Sequence, residues 1–339
     1  MKRWEGNEMT TLTAPDSWYK RVSRTANIPP VFYFLIVVFL VSGTLDHFLA
    51  DGQIFSNPLI MLNIVVRSVA LGIVAVGQTM VLIGASIDLS VAYTISITAV
   101  MSSYIMQGSS SNVPGAILGV FAIGIAIGLA NGLIVTKLRV NPFIATLGTS
   151  LIIKGIINAT FSNYTGSVPQ AFEYFGYGTI GPIPVSIIIL LLVVTVGWFI
   201  LARTKFGAHL YSAGGNAEVA RLSGVRTDRI LIGAHILCSL TAVISGMFLV
   251  SLMRSGAPWV GPNGFYDLNS IATAVIGGTA LSGGKGSVWG TLAGVLIFGV
   301  LSTAFNQLGV NPYLKIVFQG LIIILAVASY TIRSKKEAS

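Results

Sequence analysis

The chain has 339 residues, of which 54% are hydrophobic and 9% charged, against about a quarter charged in an ordinary soluble domain. That balance excludes a water-soluble globule, which would lack the charge to cover its surface, and a disordered chain, which would be far less apolar. With 38 glycines in no three-residue period and one cysteine, collagen-like and disulfide-scaffold classes are excluded as well. What remains is an all-α polytopic membrane protein.

Residues 1–28 are polar and mixed, too long and too hydrophilic to precede a secretory cleavage site. They predict a cytoplasmic tail, disordered or lying on the membrane surface. Apolar runs then follow near 29–45, 59–83, 90–107, 114–135, 143–160, 183–202, 230–253, 269–282, 287–305 and 313–331. These predict about ten transmembrane helices of roughly 20 residues each. The transmembrane body covers 29–332, its largest polar loop is 203–229, and a basic tail, 333–339, ends the chain.

Basic residues test this count. Lys2, Arg3, Lys20, Arg21 and Arg24 lie in the first tail, and Lys137 and Arg139 after the fourth run. Arg203, Lys205, Arg221, Arg226 and Arg229 follow the sixth, Lys285 the eighth, and Arg333, Lys335 and Lys336 close the chain. An even span count puts all of these on one face. The opposite loops, 46–58, 108–113, 161–182, 254–268 and 306–312, hold one basic residue, Arg254, and the acids Asp46, Asp51, Glu173 and Asp267. The net charge of +9 is therefore an orientation signal, with both termini expected in the cytoplasm, and not a nucleic-acid footprint.

A motif recurs. Leu138-Arg139-Val140-Asn141-Pro142-Phe143-Ile144 resembles Leu308-Gly309-Val310-Asn311-Pro312-Tyr313-Leu314, 170 positions later. The same offset carries 59–83 onto 229–253. Each Asn-Pro pair suits a helix start, where the missing proline N–H needs no partner. One copy precedes a span on the inner side and the other on the outer side. The units 59–160 and 229–331 would then be inverted five-helix repeats, a transporter architecture.

No G-x-x-x-x-G-K-[ST] sequence is present. Gly283-Gly284-Lys285-Gly286-Ser287 comes near, but Thr279 stands where the first glycine belongs and Gly286 where Ser or Thr should follow the lysine. It reads as a tight glycine turn with Lys285 as an anchor. An ATP-driven machine would need another subunit to bind the nucleotide. Proton-coupled carriers place several acids or histidines within spans; here Asp88 and His235 are the candidates, with His47 near a span end. No zinc spacing, G-x-S-x-G or second acid near Asp88 suggests an enzyme. Cys238 reads as a small packed residue or, less favourably, a reactive thiol.

Asp88 lies in Ile83-Gly84-Ala85-Ser86-Ile87-Asp88-Leu89-Ser90-Val91, a sequence that ends one helix and starts another. Two readings stand. Asp88 or Ser90 caps the second helix, or the break lines a solute path in which Asp88, Ser90, Tyr93, Gln78 and Asn141 are the candidate residues. In the large loop, Asn216 suits a helix N-cap and Gly224 a stop, with about two helical turns between. Val219 and Leu222 share a face, and Glu218 and Arg221 are spaced to pair. Such a helix either floats at the interface or plugs a partner's groove; two turns bury too little for a bilayer float.

Here the sequence resembles a known family, the monosaccharide branch of ABC importer permeases (the ribose, xylose, galactose and autoinducer-sugar group). Gly84 to Val91 resembles that family's G-G-I-D-L-S-V segment. Arg203 to Gly207 with Gly214 to Val225 resembles R-T-x-F-G…G-G-N-x-x-A-A-R-L-S-G-I. Asn131-Gly132 through Gly148, and Ile271 to Gly290, resemble two further blocks. The resemblance runs in order from about 60 to 330. It implies a type II ABC importer-like fold, a permease homodimer in the cell inner membrane, a separate cytoplasmic ATPase that binds the ATP, and a periplasmic or surface sugar-binding protein. It implies no cofactor on this chain, and makes the 203–229 loop the coupling loop, with Gly214, Gly215, Glu218, Ala220, Arg221 and Gly224 the residues that meet the ATPase. Ala85 stands where the family has a second glycine, Ala92-Tyr93 where Gly and a small residue are usual, and Val219 where alanine is common. These departures bear on which solute passes. A permease for an amino acid or nucleoside and a gradient-driven carrier are the alternatives.

Overall fold

In hydrocarbon every backbone N–H must be paired within its own segment, so long apolar runs have the α-helix as their one open-ended solution. The computed structural model describes residues 29–49, 52–321 and 324, and these are mostly helical. Helix α1 spans Pro30–Leu49, α2 Gln53–Ser56, α3 Pro58–Ile83 and α4 Val91–Met106. A 3-10 turn, Ser110–Asn112, leads into α5, Val113–Thr136, and then α6, Pro142–Thr160, and α7, Gln170–Tyr177. Two-residue strands β1, Thr179–Ile180, and β2, Ile183–Pro184, pair antiparallel with Thr179 opposite Pro184. Next come α8, Val185–Arg203, α9, Lys205–Gly215, and α10, Ala217–Leu222. The chain continues through α11, Thr227–Met253, α12, Val260–Asn263, α13, Tyr266–Ile276, and α14, Val288–Gln307. Helix α15 is described over 312–321.

Among the described residues seven helices are long and apolar enough to cross a membrane: α1, α3, α5 with its leading turn, α6, α8, α11 and α14. Helix α4 is apolar but has 16 residues, and α13 has 11. The run expected over 269–282 is helical only to Ile276, because Gly277 and Gly278 open a turn. Asp46, expected in a loop, lies in the last turn of α1 and accepts the Ile54 N–H at 2.7 Å. The tails 1–28 and 333–339, and residues 322–323 and 325–331 of the last expected span, lie outside the described residues.

Burial sorts the helices. In α3, α11 and α14 the share of the apolar stretch that is buried is 50%, 61% and 56%, against 28–33% in α1, α5, α6 and α8. The first three form the interior. The others turn large apolar side chains such as Leu118, Ile152 and Leu192 outward, as a lipid-facing surface requires. Helix α11 packs against α3, α4, α5 and α7, and α14 against α1, α3 and α13. The α5–α11 contact is backbone-close. A Cβ on Gly128 would lie 2.6 Å from Ile236 Cα, and one on Gly132 2.7 Å from Ile232 Cα. Small residues spaced by four let membrane helices approach in this way.

Loops gather at two ends. At one, Thr165 bridges Gly256, Ser167 O accepts the Gly108 N–H at 3.0 Å, and Arg254 meets Glu173 at 2.9 Å. At the other lie the break 84–90, the Lys137–Arg139 loop, α9 and α10, and the 277–287 turn. There Lys137 Nζ contacts Asp228 at 2.7 Å.

Candidate functional site

The first candidate region is the break between α3 and α4. Helix α3 closes with a hydrogen-bonded stop: Ala85 N–H donates to Leu82 O (2.9 Å) and Ser86 N–H to Val81 O (3.1 Å). This is the paired ending that normally puts glycine in the left-handed position. Here that residue is Ala85, at φ 58°. The turn aims Asp88 inward, where its side chain is fully buried.

Asp88 is held from every side. Its Oδ1 accepts from Ser90 N at 2.9 Å and Ser90 Oγ at 2.6 Å. Asn131 Nδ2 on α5 lies 3.3 Å from its Oδ2 and 2.9 Å from Ser90 Oγ. His235 Nδ1 on α11 lies 3.3 Å from Asp88 Oδ2, while its Nε2 is 3.0 Å from Ser86 Oγ. The consistent tautomer has Nδ1–H donating to Asp88 and Nε2 accepting from Ser86. Leu89 N–H donates to Thr146 Oγ1 on α6 at 3.1 Å. Gln78 on α3, with its amide nitrogen toward Asp88 O (3.1 Å) and its oxygen toward Asp88 N (3.2 Å), completes the cradle. A buried carboxylate is tolerable only when so matched.

The expected path residues thus separate. Gln78, Asp88 and Ser90 meet in one network of zero exposure. Tyr93 is half-buried in the first turn of α4. Asn141 is exposed and apart, its Oδ1 accepting the Phe143 N–H at 2.9 Å to cap α6. Sequence reasoning placed His235 in a span but did not join it to Asp88, nor name Asn131 as a partner. Both are polar residues in apolar runs, which was the available signal.

The second region is α10. Asn216 Oδ1 accepts from Glu218 N and Val219 N, each at 3.0 Å, capping the orphan N–H groups. At the other end Gly224, at φ 85°, donates to Arg221 O and Val225 N–H to Ala220 O, each at 3.0 Å. Both ends of a six-residue helix are therefore fixed. Ala220 is its one buried residue. Val219 is 57% and Leu222 84% exposed, an apolar face that no described residue covers. Arg221 turns to Asp228 Oδ1 (3.7 Å) and Thr227 Oγ1 (3.4 Å) and not to Glu218. Glu218 has no ion-pair partner among the described residues. Gly214 and Gly215 end α9, which Thr204 starts by accepting the Gly207 N–H at 3.3 Å. Sequence reasoning did not foresee α9. Among the described residues no group of three His, Cys, Asp or Glu side chains could hold a metal ion, and Cys238 is buried between helices.

Comparisons with known proteins give a consistent picture. The family model described as branched-chain amino acid transport system / permease component matches residues 60–327. The ribose import permease protein RbsC of Escherichia coli K12 is 34% identical over 325 residues, covering 94% of this chain and 98% of that protein. RbsC of Bacillus subtilis is 35% identical over 277 residues, 80% of this chain and 85% of the relative. The galactose/methyl galactoside import permease protein MglC of Haemophilus influenzae is 33% identical over 325 residues, 90% and 94% of the two chains. No solved structure matches.

Proposed function

This chain belongs to the family of branched-chain amino acid transport system permease components, and from that premise we propose that it is the membrane permease subunit of an ATP-driven ABC importer for a monosaccharide such as ribose. The chain forms the translocation path and carries no nucleotide loop of its own. A separate cytoplasmic ATPase binds ATP, a periplasmic or surface-anchored binding protein delivers the sugar, and two copies of the permease pair in the cell inner membrane. The specific solute is supported by the ribose and galactose permeases among the relatives.

One observation carries the coupling role: a helix of six residues, locked at both ends, exposes Val219 and Leu222 on the end of the molecule that gathers the basic loops. An apolar peg of this size finds its burial in a partner's groove. ATP-driven closure of the ATPase pair would move the two pegs and shift the spans between inward- and outward-open states. Ten spans are supported by the seven long apolar helices together with α4, α13 and α15. The inverted repeat is supported by helix limits: a 170-residue offset carries α3, Pro58–Ile83, to within one residue of α11, Thr227–Met253. Both Asn-Pro starts also make the same cap, Phe143 N–H donating to Asn141 Oδ1 at 2.9 Å and Tyr313 N–H to Asn311 Oδ1 at 2.8 Å.

The test is reconstitution in proteoliposomes with the ATPase and the binding protein, using labelled pentoses, hexoses and branched-chain amino acids as the panel. ATP-dependent uptake of a pentose or hexose is expected. Uptake that persists undiminished without ATPase and ATP would overturn the importer reading, and ATP-driven uptake of amino acids alone would replace the sugar. Leu222→Asp, on an exposed position, is expected to leave insertion intact and to cut ATPase binding by about tenfold or more, the effect of losing one apolar anchor.

A further inference from the structure

The glycine turn at Gly283-Gly284-Lys285-Gly286-Ser287 links α13 to α14. In the structure three segments from distant parts of the chain meet there, backbone against backbone. Gly284 N–H donates to the carbonyl of Ile83, the last residue of α3, at 2.8 Å. A Cβ on Gly214, at the end of α9, would collide with that same Ile83 oxygen and lie 2.9 Å from Gly284 N. A Cβ on Gly283 would come within 2.6 Å of both Ala85 Cβ and Gly214 O, and one on Gly284 within 2.7 Å of Gly215 Cα. Gly283 and Gly284 also sit at φ 83° and 72°, so glycine is required there twice over.

A second tie joins the same partners. Tyr211, one helical turn before Gly214 on α9, donates its phenol O–H to Gly286 O at 2.8 Å. Burial pushes that phenol above its ordinary pKa, so it keeps the proton the bond needs. The turn is in turn clamped to its own helices. A Cβ on Gly277 would collide with the Gly290 carbonyl, and one on Gly294 with the Thr273 carbonyl.

We propose that the 277–287 turn is a mechanical joint of the transporter, through which movement of α9 and its peg reaches the α3–α4 break and the α13–α14 pair together. Gly214, Gly283 and Gly284 are its positioning residues and Tyr211 its hydrogen-bonded tie. This rests on reading α10 as the ATPase docking peg. The physical reason is the absence of slack. Side-chain contacts can be absorbed by a change of rotamer, whereas contacts between backbones shift as a block or break. A displacement of α9 therefore moves Ile83 and Gly284 with it.

The experiment uses the full chain co-produced with the ATPase and binding protein of the same system, in nanodiscs. Coupling is read as the ratio of binding-protein affinities with ATP-vanadate and without nucleotide, which needs no knowledge of the solute. Tyr211→Phe removes the tie and keeps the ring; Gly284→Ala strains the joint; Gly115→Ala, where a Cβ meets nothing within 4 Å, is the control. Tyr211→Phe is expected to bind the ATPase and to support its ATP hydrolysis as the parent does, while the affinity ratio falls about fivefold, with Gly284→Ala falling further and Gly115→Ala unchanged. An unchanged ratio in Gly284→Ala overturns the joint, an unchanged ratio in Tyr211→Phe overturns Tyr211 as its tie, and a parallel loss of ATPase binding, hydrolysis and ratio in either variant overturns the joint by marking a merely structural role. If the parent chain itself binds no ATPase or shows a ratio of one, the docking reading has failed and takes the joint with it.

Discussion

Ala85 and Gly224 occupy the same place in two helix endings, and comparing them isolates one methyl group. Both sit in the left-handed region, at φ 58° and 85°, each donating to the carbonyl three residues back. Glycine does so without strain; alanine costs about 1 kcal/mol because its Cβ crowds the backbone. Ala85→Gly should therefore stabilise the protein by about 1 kcal/mol, read as a higher unfolding midpoint in detergent; a lower midpoint would mean that the Ala85 methyl packs more usefully than its strain costs. Asp88 raises the opposite case. His235→Ala leaves a buried carboxylate short of one partner and should destabilise by about 3 kcal/mol, lowering the yield of monodisperse protein. Adding Asp88→Asn should recover part of that loss, since the uncompensated charge is removed. The helix break around Asp88 was legible in the sequence because Gly, Ser and Asp signal locally. Its partner was not: His235 lies 147 residues away, and nothing in an apolar run says which neighbouring helix it will face.

Elements held by local chemistry were likewise readable, and those held by contacts were not. The limits of α10 follow from Asn216 and Gly224, residues whose capping roles need no tertiary information. Helix α9 went unforeseen because Gly207, Gly214 and Gly215 each cost about 1 kcal/mol of helix propensity; its glycines serve close approach to Leu201, Ile83 and the 277–287 turn. For the same reason the run over 269–282 ends at Ile276, where backbone meets backbone at Gly277 and Gly290. Packing by glycine predicts its own sensitivity. Gly128→Val drives a branched side chain into Ile236 and His235 O, and should cost about 3 kcal/mol by overpacking. The same substitution at Gly148, where a Cβ meets nothing within 4 Å, should be tolerated. Comparing folded fractions after detergent extraction decides between them; equal tolerance would remove the α5–α11 seam as an organising contact.

At the scale of the molecule, loop contacts gather at each end the residues that charge placement groups together. The sequence puts Arg254 alone among the acids of the opposite loops; in the structure it pairs with Glu173 at 2.9 Å, so the one basic residue of those loops is neutralised where it stands. At the other end Lys137, Arg221 and Asp228 converge from α5, α10 and α11. Under the positive-inside rule that end would face the cytoplasm, and the peg with it, as the proposed coupling to an ATPase requires. Cys238 is the chain's single cysteine and fully buried, so Cys238→Ala supplies a clean background for mapping sides. Leu222→Cys, without the ATPase, should react with a membrane-impermeant maleimide only after the cells are permeabilised. Ser110→Cys, in an exposed turn at the far end, should react in intact cells. Labelling of Leu222→Cys from outside would put the peg beyond reach of any ATP-driven partner, because a helix of six residues has no length to cross the membrane. The charge asymmetry, the helix break and the peg would then need a different engine.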